Sequence, residues 1–264
     1  MRIATIVAVV PIKALDAAKT RLGAVLDAGD RADLTLWLAG RVVTAISASG
    51  VVERTVVVSP DTSVLHWASG RGLAAIRQRD GDLNAGIALG RDWALDAGAG
   101  ALLVALGDLP LLTPEDVRAM AGQARAASGT EHGSAGGVAD VVGVVIVAPD
   151  RAGTGTNMLL VAPPDALAPA FGPGSRARHD ALACAARLTL AVYSAPGTAF
   201  DVDRPADLDE LRSRRLWSPR SAPVLGGTNG ARGTNGAHSM NGTVRPASEI
   251  GVGTPGGTLD GRDP

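Results

Sequence analysis

Residues 3–22, IATIVAVVPIKALDAAKTRL, join a short apolar run directly to a loop that carries three cations. The run at 3–10 is rich in valine and isoleucine, and Pro11 follows it. A membrane-spanning helix needs about 20 apolar residues, so this run is too short to cross a bilayer. A continuous apolar run of this length is typical of a buried strand. It lacks a clear signal-peptide cleavage site, so we expect a cytoplasmic protein.

Similar apolar runs recur along the chain, and helix-like stretches separate them. The further runs lie at 51–58, 101–106 and 141–148, and the helix-like stretches at about 30–48, 84–97 and 114–127. Short apolar strands that alternate with helices predict an α/β fold in which helices cover both faces of a mostly parallel sheet. Ligands of such sheets bind beyond the carboxyl ends of the strands. We therefore expect functional residues in the loops that follow the strands.

Polar residues mark two of the predicted helix starts. Asp30 is predicted to cap the helix at 30–48. Thr113 precedes a proline and two acidic residues, which are favoured in the first turn of a helix. The sequence therefore predicts that the third helix begins at Pro114.

The composition divides the chain near residue 218. Hydrophobic residues make up 46% of the 264 residues and aromatic residues only 3%, so a core of alanine, valine and leucine is expected in 1–217. Residues 218–264 are rich in glycine, proline, asparagine, serine and threonine, and contain the near-repeat GGTNGARGTNGAHSMNG. Such a segment buries too little apolar surface to offset the entropy lost on ordering. We predict a folded domain at 1–217 and a disordered tail at 218–264.

Charge and cysteine content narrow the class of protein. The formal net charge is −1, which provides no general attraction to nucleic acid or to an anionic membrane. We therefore expect neither as a partner, and any anion site must be local. Cys184 is the only cysteine, which excludes an internal disulfide and a multi-cysteine metal site. Its alanine and leucine neighbours predict that Cys184 is buried.

The loop after the first strand contains both lysines of the chain, Lys13 and Lys19, together with Arg21. The other 23 of the 25 basic residues are arginines. One interpretation is that lysine is retained here because a compact ammonium fits between phosphate oxygens better than a broad guanidinium does. A solvated helix face is the alternative interpretation of the same pattern.

Acidic residues follow two later segments. Asp108 lies in GDLPLL, directly after the strand at 101–106, with no basic neighbour in the sequence. Asp201 and Asp203 lie in FDVDRPADL, just before a helix that a proline begins. Carboxylates in this arrangement suit a hard divalent cation, although turn and helix capping would explain them equally well.

Two glycine-containing loops could bind an anion. Residues 153–157, GTGTN, combine glycines that allow close backbone approach with threonine hydroxyls. Residues 171–175, FGPGS, lead into a predicted helix at about 175–187, whose first amides could bind phosphate together with Arg176. Turns are the alternative for both loops. His179 is expected to be structural or solvent-facing rather than catalytic.

Two common phosphate motifs are absent from the sequence. There is no G-x4-G-K-[ST], and no G-x-G-x-x-G follows the first strand, so a P-loop is excluded and a dinucleotide fold of the usual type is not expected. The segments VPIKALDAAKTRL, GDLPLL, GTGTN, FGPGSRARH and FDVDRPADL, in this order and spacing, resemble the guanylyltransferases of deazaflavin coenzyme (coenzyme F-420) biosynthesis. The resemblance covers about residues 1–215 and implies that the domain at 1–217 is catalytic. The stretch at 127–140, ASGTEHGSAGGVAD, is looser than the family leads us to expect, and we expect an extended loop there.

This resemblance implies a nucleotide-diphospho-sugar-transferase-like fold, Rossmann-like and three-layered, and the transfer of GMP from GTP to a small phosphorylated carboxylic acid. It implies that the cationic loop and Asn84 lie near GTP. It also implies that Mg²⁺ is held by the following acids: Asp108, Asp201 and Asp203. The acceptor would lie at Thr156, Gly172 and Ser175.

The resemblance leaves the acceptor open between phosphoenolpyruvate and 2-phospho-L-lactate, since both place a carboxylate beside a phosphate. The preference for arginine, alanine and glycine over lysine is typical of a GC-rich genome such as an actinobacterium's, for which we expect phosphoenolpyruvate. Nucleotidyltransferases for sugar phosphates or a molybdenum cofactor usually carry L-x-G-G-x-G-x-R after the first strand, and this chain does not. A non-catalytic nucleotide-binding protein is the alternative outside the enzymes.

Overall fold

The computed structural model describes residues 3–129 and 143–219. Seven strands form one sheet: β1 Ile6–Pro11, β2 Arg54–Ser59, β3 Ala74–Arg77, β4 Ala101–Ala105, β5 Val144–Pro149, β6 Thr156–Ala162 and β7 Thr189–Val192. Seven helices accompany them: α1 Ala28–Ala48, α2 Thr62–Ser69, α3 Leu83–Asp96, α4 Pro114–Gly129, α5 Ser175–Ala185, α6 Pro196–Ala199 and α7 Pro205–Ser213. A short 3₁₀ helix at Thr20–Leu22 lies between β1 and α1.

The sheet is mixed but mostly parallel, as the alternation of strands and helices predicts. Its strand order is β3-β2-β1-β4-β6-β5-β7. The pairs β1–β2, β1–β4, β2–β3 and β5–β7 are parallel, whereas β6 is antiparallel to both β4 and β5. The short loop at 150–155 reverses the chain between β5 and β6, and a reversal this short can join only antiparallel strands.

Helices cover both faces of the sheet and complete three layers. Strand β1 shows why, because its successive side chains point to opposite faces. Ile6, Ala8 and Val10 pack with apolar residues of α1, α2 and α4. Val7 and Val9 pack on the other face with residues of α3 and α5. The α/β architecture that the sequence predicts is therefore confirmed.

One glycine allows α3 to approach the sheet closely. A Cβ atom at Gly90 would lie 2.5 Å from Cγ1 of Val9, which is closer than real Cβ contacts. Any side chain at this position would therefore push α3 away from β1. Because α3 begins beside the carboxyl end of the sheet, this close packing helps to fix the first turn of α3 near the strand ends.

Three predictions about local structure can now be compared with the fold. The helix start at Pro114 is confirmed, since the hydroxyl oxygen of Thr113 accepts from the amide of Asp116. The capping prediction for Asp30 is wrong: Asp27 caps α1, and its carboxylate accepts from the Asp30 amide at 2.8 Å. The predicted burial of Cys184 is also wrong, because Ser175, His179 and Ala183 form the buried stripe of α5 and turn Cys184 outward.

The sequence analysis did not identify α2, β3, β6 or β7. Residues 127–129, part of the loop predicted at 127–140, form the end of α4, and residues 130–140 lie outside the described residues. The tail predicted at 218–264 also lies outside them beyond Pro219. None of the helices in the described parts of the chain is long and apolar enough to span a lipid bilayer.

Candidate active site

The loop after β1 brings one lysine back toward the sheet. Leu22 is fully buried and packs in the apolar cluster that contains Phe200 and Val202. Lys19 precedes the 3₁₀ helix with a φ of 52°, in the left-handed region that residues other than glycine seldom adopt. This turn and the buried Leu22 anchor hold the Lys19 side chain against the strand ends.

The ammonium of Lys19 lies between two carboxylates. Its Nζ donates to Oδ2 of Asp108 at 2.7 Å and to Oδ1 of Asp203 at 2.9 Å, and its side chain is only 9% exposed. Burial alone would lower the pKa of Lys19, but the attraction of Asp108 and Asp203 outweighs it and raises the pKa above the usual value. Lys19 is therefore a fixed positive charge.

Asp108 has no basic neighbour in the sequence, but in the fold its partner is Lys19, 89 positions away. A pattern of nearby residues cannot reveal a contact made across two loops.

Asp108, Asp201 and Asp203, called the acid cluster below, converge as the sequence predicts. One oxygen from each lies within 4.8 Å of the others. Phe200 and Val202 lie in the apolar core, whereas Asp201 and Asp203, which alternate with them along the chain, are only partly buried. Burial and the charges of the other two acids raise the pKa of Asp201 to about 6.

The acid cluster fits a hard divalent cation. Oδ1 of Asp108 is buried without a hydrogen-bond partner among the described residues, so one lone-pair site there is left for a ligand. Burial disfavours the charge of Asp203, but Lys19 and Arg21 outweigh that effect and lower its pKa. Carboxylate oxygens that converge in this way are the ligands that Mg²⁺ and Ca²⁺ prefer.

Two adjoining cavities extend from the acid cluster and are together called the cleft. The smaller, about 200 Å³, is lined by Lys13, Lys19, Asp108 and Asp203 among others. The larger, about 610 Å³, shares Lys13 with it and extends to Asn84 and Gly172. Lys13 is exposed and lies where the two cavities meet, whereas Arg21 contacts Asp203 at 3.8 Å from the outside. The cleft therefore connects the cationic loop to the FGPGS loop.

The FGPGS loop and the β5–β6 loop lie side by side. The amide of Arg176 donates to the carbonyl of Thr154 at 3.1 Å. Gly172 and Gly174 have φ angles of 114° and 70°, which only glycine adopts readily, and they turn the chain into the first residue of α5, Ser175.

The predicted residues Thr156 and Ser175 both lie buried at this junction. Oγ1 of Thr156 is 3.0 Å from Nδ1 of His179, one turn along α5 from Ser175. The structure therefore brings together the two loops that the sequence offered as anion sites. The side chain of Arg176 does not extend toward these two loops, because its guanidinium pairs with Asp180 at 2.9 Å on the same helix.

The family model described as guanylyl transferase CofC like matches residues 6–213. The chain belongs to this guanylyltransferase family. A phosphoenolpyruvate guanylyltransferase from Sphaerobacter thermophilus is 44% identical over 207 residues, which cover 78% of this chain and 92% of that protein. The protein of the same name from Rubrobacter xylanophilus is 44% identical over 209 residues, covering 79% and 94%. This guanylyltransferase is therefore a nucleotidyltransferase, whose reaction joins a nucleotide to a phosphorylated acceptor.

Solved structures confirm the fold of the guanylyltransferase. A protein from Desulfovibrio desulfuricans that is named as a nucleotide-diphospho-sugar transferase matches with a TM-score of 0.60 at 16% identity, over 84% of this chain and 92% of its own. A nucleotidyl transferase from Methanothermobacter matches with a TM-score of 0.55 at 21% identity, over 80% and 98%. Both support the nucleotide-diphospho-sugar-transferase-like fold that the resemblance implies.

The guanylyltransferase also contains supporting contacts that the sequence analysis did not predict. The side-chain amide of Asn84 pairs with the backbone of Phe171: its Oδ1 accepts from the amide at 2.7 Å and its Nδ2 donates to the carbonyl at 3.1 Å. Arg178 donates to the carbonyls of Ala170, Phe171 and Pro173. These hydrogen bonds go to backbone atoms, which every residue has, and Asn84 is distant in the sequence from Phe171. No sequence motif would therefore have shown them.

Proposed function

We propose that the chain transfers GMP from GTP to the phosphate of phosphoenolpyruvate and releases pyrophosphate. The product would be enolpyruvoyl-2-diphospho-5'-guanosine, a precursor for coenzyme F-420. The observation that carries this proposal is a single cleft with lysines and an acid cluster at one end and the FGPGS loop at the other, with the β5–β6 loop beside the FGPGS loop. The relatives named phosphoenolpyruvate guanylyltransferase support the choice of acceptor over 2-phospho-L-lactate.

The acid cluster would hold Mg²⁺. Asp108 offers a buried oxygen without a hydrogen-bond partner among the described residues, and one oxygen from each of Asp108, Asp201 and Asp203 lies within 4.8 Å of the others. When bound, Mg²⁺ would neutralise charge on the triphosphate oxygens. Binding of Mg²⁺ would thus explain why the three carboxylates converge, which turn and helix capping alone would not.

The cationic loop would bind the triphosphate. Lys19 is charged and fixed at the acid cluster, Lys13 lies where the two cavities meet, and Arg21 extends from the solvent side. A phosphate oxygen of the acceptor is already anionic at neutral pH, so its attack on the α-phosphorus requires no general base. The new bond joins that oxygen to the α-phosphorus, the bond from the α-phosphorus to the bridging oxygen breaks, and pyrophosphate leaves. Positioning and charge stabilisation would supply the catalysis.

The two glycine loops would bind the acceptor. Thr156 and Ser175 offer hydroxyl groups to a phosphate or carboxylate. The amides of Ser175 and Arg176 are already used, since they donate to the carbonyls of Gly172 and Thr154. Gly172 lines the larger cavity, and its φ of 114° turns the loop there. Asn84 lines the larger cavity, where it would lie beside the nucleotide without bonding to it, because both ends of its side-chain amide are bonded to the backbone of Phe171 in the acceptor loop.

We further propose that residues 1–217 form the whole catalytic domain and that the protein acts in the cytoplasm. The family match at 6–213 supports the first statement. The net charge of −1 agrees with small-molecule partners rather than nucleic acid or membrane.

A pyrophosphate-release assay with purified full-length protein tests the function. GTP, ATP and CTP would each be paired with phosphoenolpyruvate and with 2-phospho-L-lactate in the presence of Mg²⁺. We expect the highest kcat/KM for GTP with phosphoenolpyruvate, and mass spectrometry should show the enolpyruvoyl product. A higher kcat/KM with 2-phospho-L-lactate would show that 2-phospho-L-lactate, rather than phosphoenolpyruvate, is the acceptor. Binding of GTP without pyrophosphate release in any pair would refute the proposed reaction.

A further inference from the structure

His179 is a buried polar residue that the proposed reaction does not use. Its side chain lies on the inner stripe of α5 and is fully covered. One ring nitrogen, Nδ1, is 3.0 Å from Oγ1 of Thr156. The other, Nε2, is 3.3 Å from the backbone nitrogen of Ala170, and the ring of Phe171 packs edge-on at 5.1 Å. Both nitrogens of His179 therefore have defined partners.

These partners determine where the imidazole carries its proton. A backbone N–H can only donate, so Nε2 must accept from Ala170 and cannot itself be protonated. Burial lowers the pKa of His179 to about 4. The charge of Arg178 adds to this effect, and the charge of Asp180 opposes it. The ring is thus neutral near pH 7, and its single proton is on Nδ1.

The tautomer in turn fixes the direction of the hydrogen bond to Thr156. With its proton on Nδ1, His179 donates, and Oγ1 of Thr156 accepts. The hydroxyl hydrogen of Thr156 is then not used on His179 and can be donated to another group. In the opposite tautomer Thr156 would donate to His179 and would present only lone pairs to an incoming anion, which would repel it.

We propose that His179 is a positioning residue that keeps Thr156 a hydrogen-bond donor toward the anionic acceptor and so sets the acceptor's apparent affinity. This inference rests on the proposed function, because it takes Thr156 to contact the phosphorylated acid. His179 itself touches neither substrate.

Nitrogen-15 NMR of histidine-labelled protein tests the tautomer without any substrate. The chain has four histidines, and a His179→Gln sample identifies the signals of His179 by their loss. We expect His179 to show a protonated Nδ1 and an unprotonated Nε2, unchanged between pH 5.5 and 8. A protonated Nε2 in His179, or titration of its ring near pH 6.5, would overturn the inference.

Two substitutions of His179 separate its two hydrogen bonds. In His179→Asn, the amide nitrogen lies near the position of Nδ1 and can still donate to Thr156, whereas in His179→Gln the amide lies near Nε2 and that donor is lost. We expect His179→Gln to raise the KM for phosphoenolpyruvate about tenfold, the cost of one hydrogen bond to a charged group. The KM for GTP should stay within about twofold, and His179→Asn should recover most of the loss.

A double-mutant cycle with Thr156→Val completes the test. If His179 acts through the Thr156 hydroxyl, His179→Gln should add no further rise in the KM for phosphoenolpyruvate once that hydroxyl is gone. A purely structural histidine predicts additive losses, with both KM values and the melting temperature affected alike, and that result would refute the inference. Inactive wild-type protein would instead refute the proposed function, and the NMR measurement would still decide the tautomer.

Discussion

The acid end of the cleft and its glycine-loop end are held together by opposite kinds of interaction. At the acid end, three carboxylates lie within 4.8 Å of one another, and the contact that holds two of them is the ammonium of Lys19. At the glycine-loop end, Asn84 and Arg178 hold the backbone of the loop through hydrogen bonds to Phe171 and its neighbours. The first is a cluster of charges, and the second is a backbone already fixed in shape.

This difference teaches what each end needs from its ligand. Burial, together with repulsion from Asp108 and Asp203, raises the pKa of Asp201, so that end gains stability when a cation binds. A loop whose carbonyls are already held loses little entropy when it binds an anion. We therefore expect charge substitutions to act most strongly at the acid end and to act on turnover, whereas changes at the loop end should act on acceptor binding.

Asp108→Asn should have the largest effect. It removes the ligand oxygen that is buried without a partner, so we expect kcat to fall at least about 100-fold, or about 2.7 kcal/mol. Steady-state rates at saturating Mg²⁺ measure this, and Asp96→Asn, on the exposed end of α3, is the matched control. If the variant keeps more than about a tenth of the wild-type rate, the loss of transition-state stabilisation is under about 1.4 kcal/mol, and Asp108 has no essential role in the mechanism.

Substitutions of the two lysines should differ from each other. Lys19 is 9% exposed between two carboxylates, whereas Lys13 is exposed, so Lys19→Ala should lower kcat/KM for GTP more than Lys13→Ala does. We expect a loss of about 30-fold or more for Lys19→Ala, or about 2 kcal/mol. Lys19→Arg should recover only part of it, because a planar guanidinium does not fit where a compact ammonium contacts both acids. Fully active Lys19→Arg and Lys13→Arg variants would contradict the role given to these lysines.

Asp201→Asn should change stability in a pH-dependent direction. The pKa of Asp201 is raised in the fold from 3.8 to about 6, so its protonated form favours folding. That contribution is complete below about pH 4 and is lost as the pH rises through about 6. Asparagine resembles the protonated acid, so without metal the variant should melt a few degrees higher than wild type at pH 8, at about 2–4 °C for each kcal/mol. The gain should shrink by pH 5, and an equal shift at both pH values would contradict the repulsion at this end.

Deletion of residues 218–264 should have the smallest effect. The composition of this segment cannot support a core, and α7 and Trp217 remain in the shortened chain. We expect kcat/KM and the melting temperature to stay close to those of the full chain. A melting temperature lower by more than about 5 °C would show that the tail stabilises the domain.

The sequence allowed the fold and the acid end to be predicted because their signals are local. Apolar runs predicted four of the strands, and GDLP and FDVD placed acids directly after a strand and before a helix. The antiparallel β6 was missed because it begins within GTGTN, which the sequence analysis interpreted only as a loop. The partner of Asp108 was missed because Lys19 reaches it only through the folded loop.

The supports of the glycine-loop end could not be predicted for a different physical reason. Asn84 and Arg178 act on backbone groups, which every residue has, so nothing at Phe171 or Pro173 indicates a partner in the sequence. His179 was expected to be structural or solvent-facing, and the fold shows it buried with both ring nitrogens bonded. Only the packing of α5 against the sheet reveals these contacts.

The central claim, that one end of the cleft serves the nucleotide and the other the acceptor, is tested most directly by separate KM values for Asn84→Ala and Lys13→Ala. Both side chains line the larger cavity, so their proximity to the cleft is matched. Asn84→Ala removes two hydrogen bonds to Phe171 and should raise the KM for phosphoenolpyruvate about tenfold, while the KM for GTP changes less than about threefold. Lys13→Ala should show the reverse. A rise in the KM for GTP as large as that for phosphoenolpyruvate in Asn84→Ala would contradict the division of the cleft.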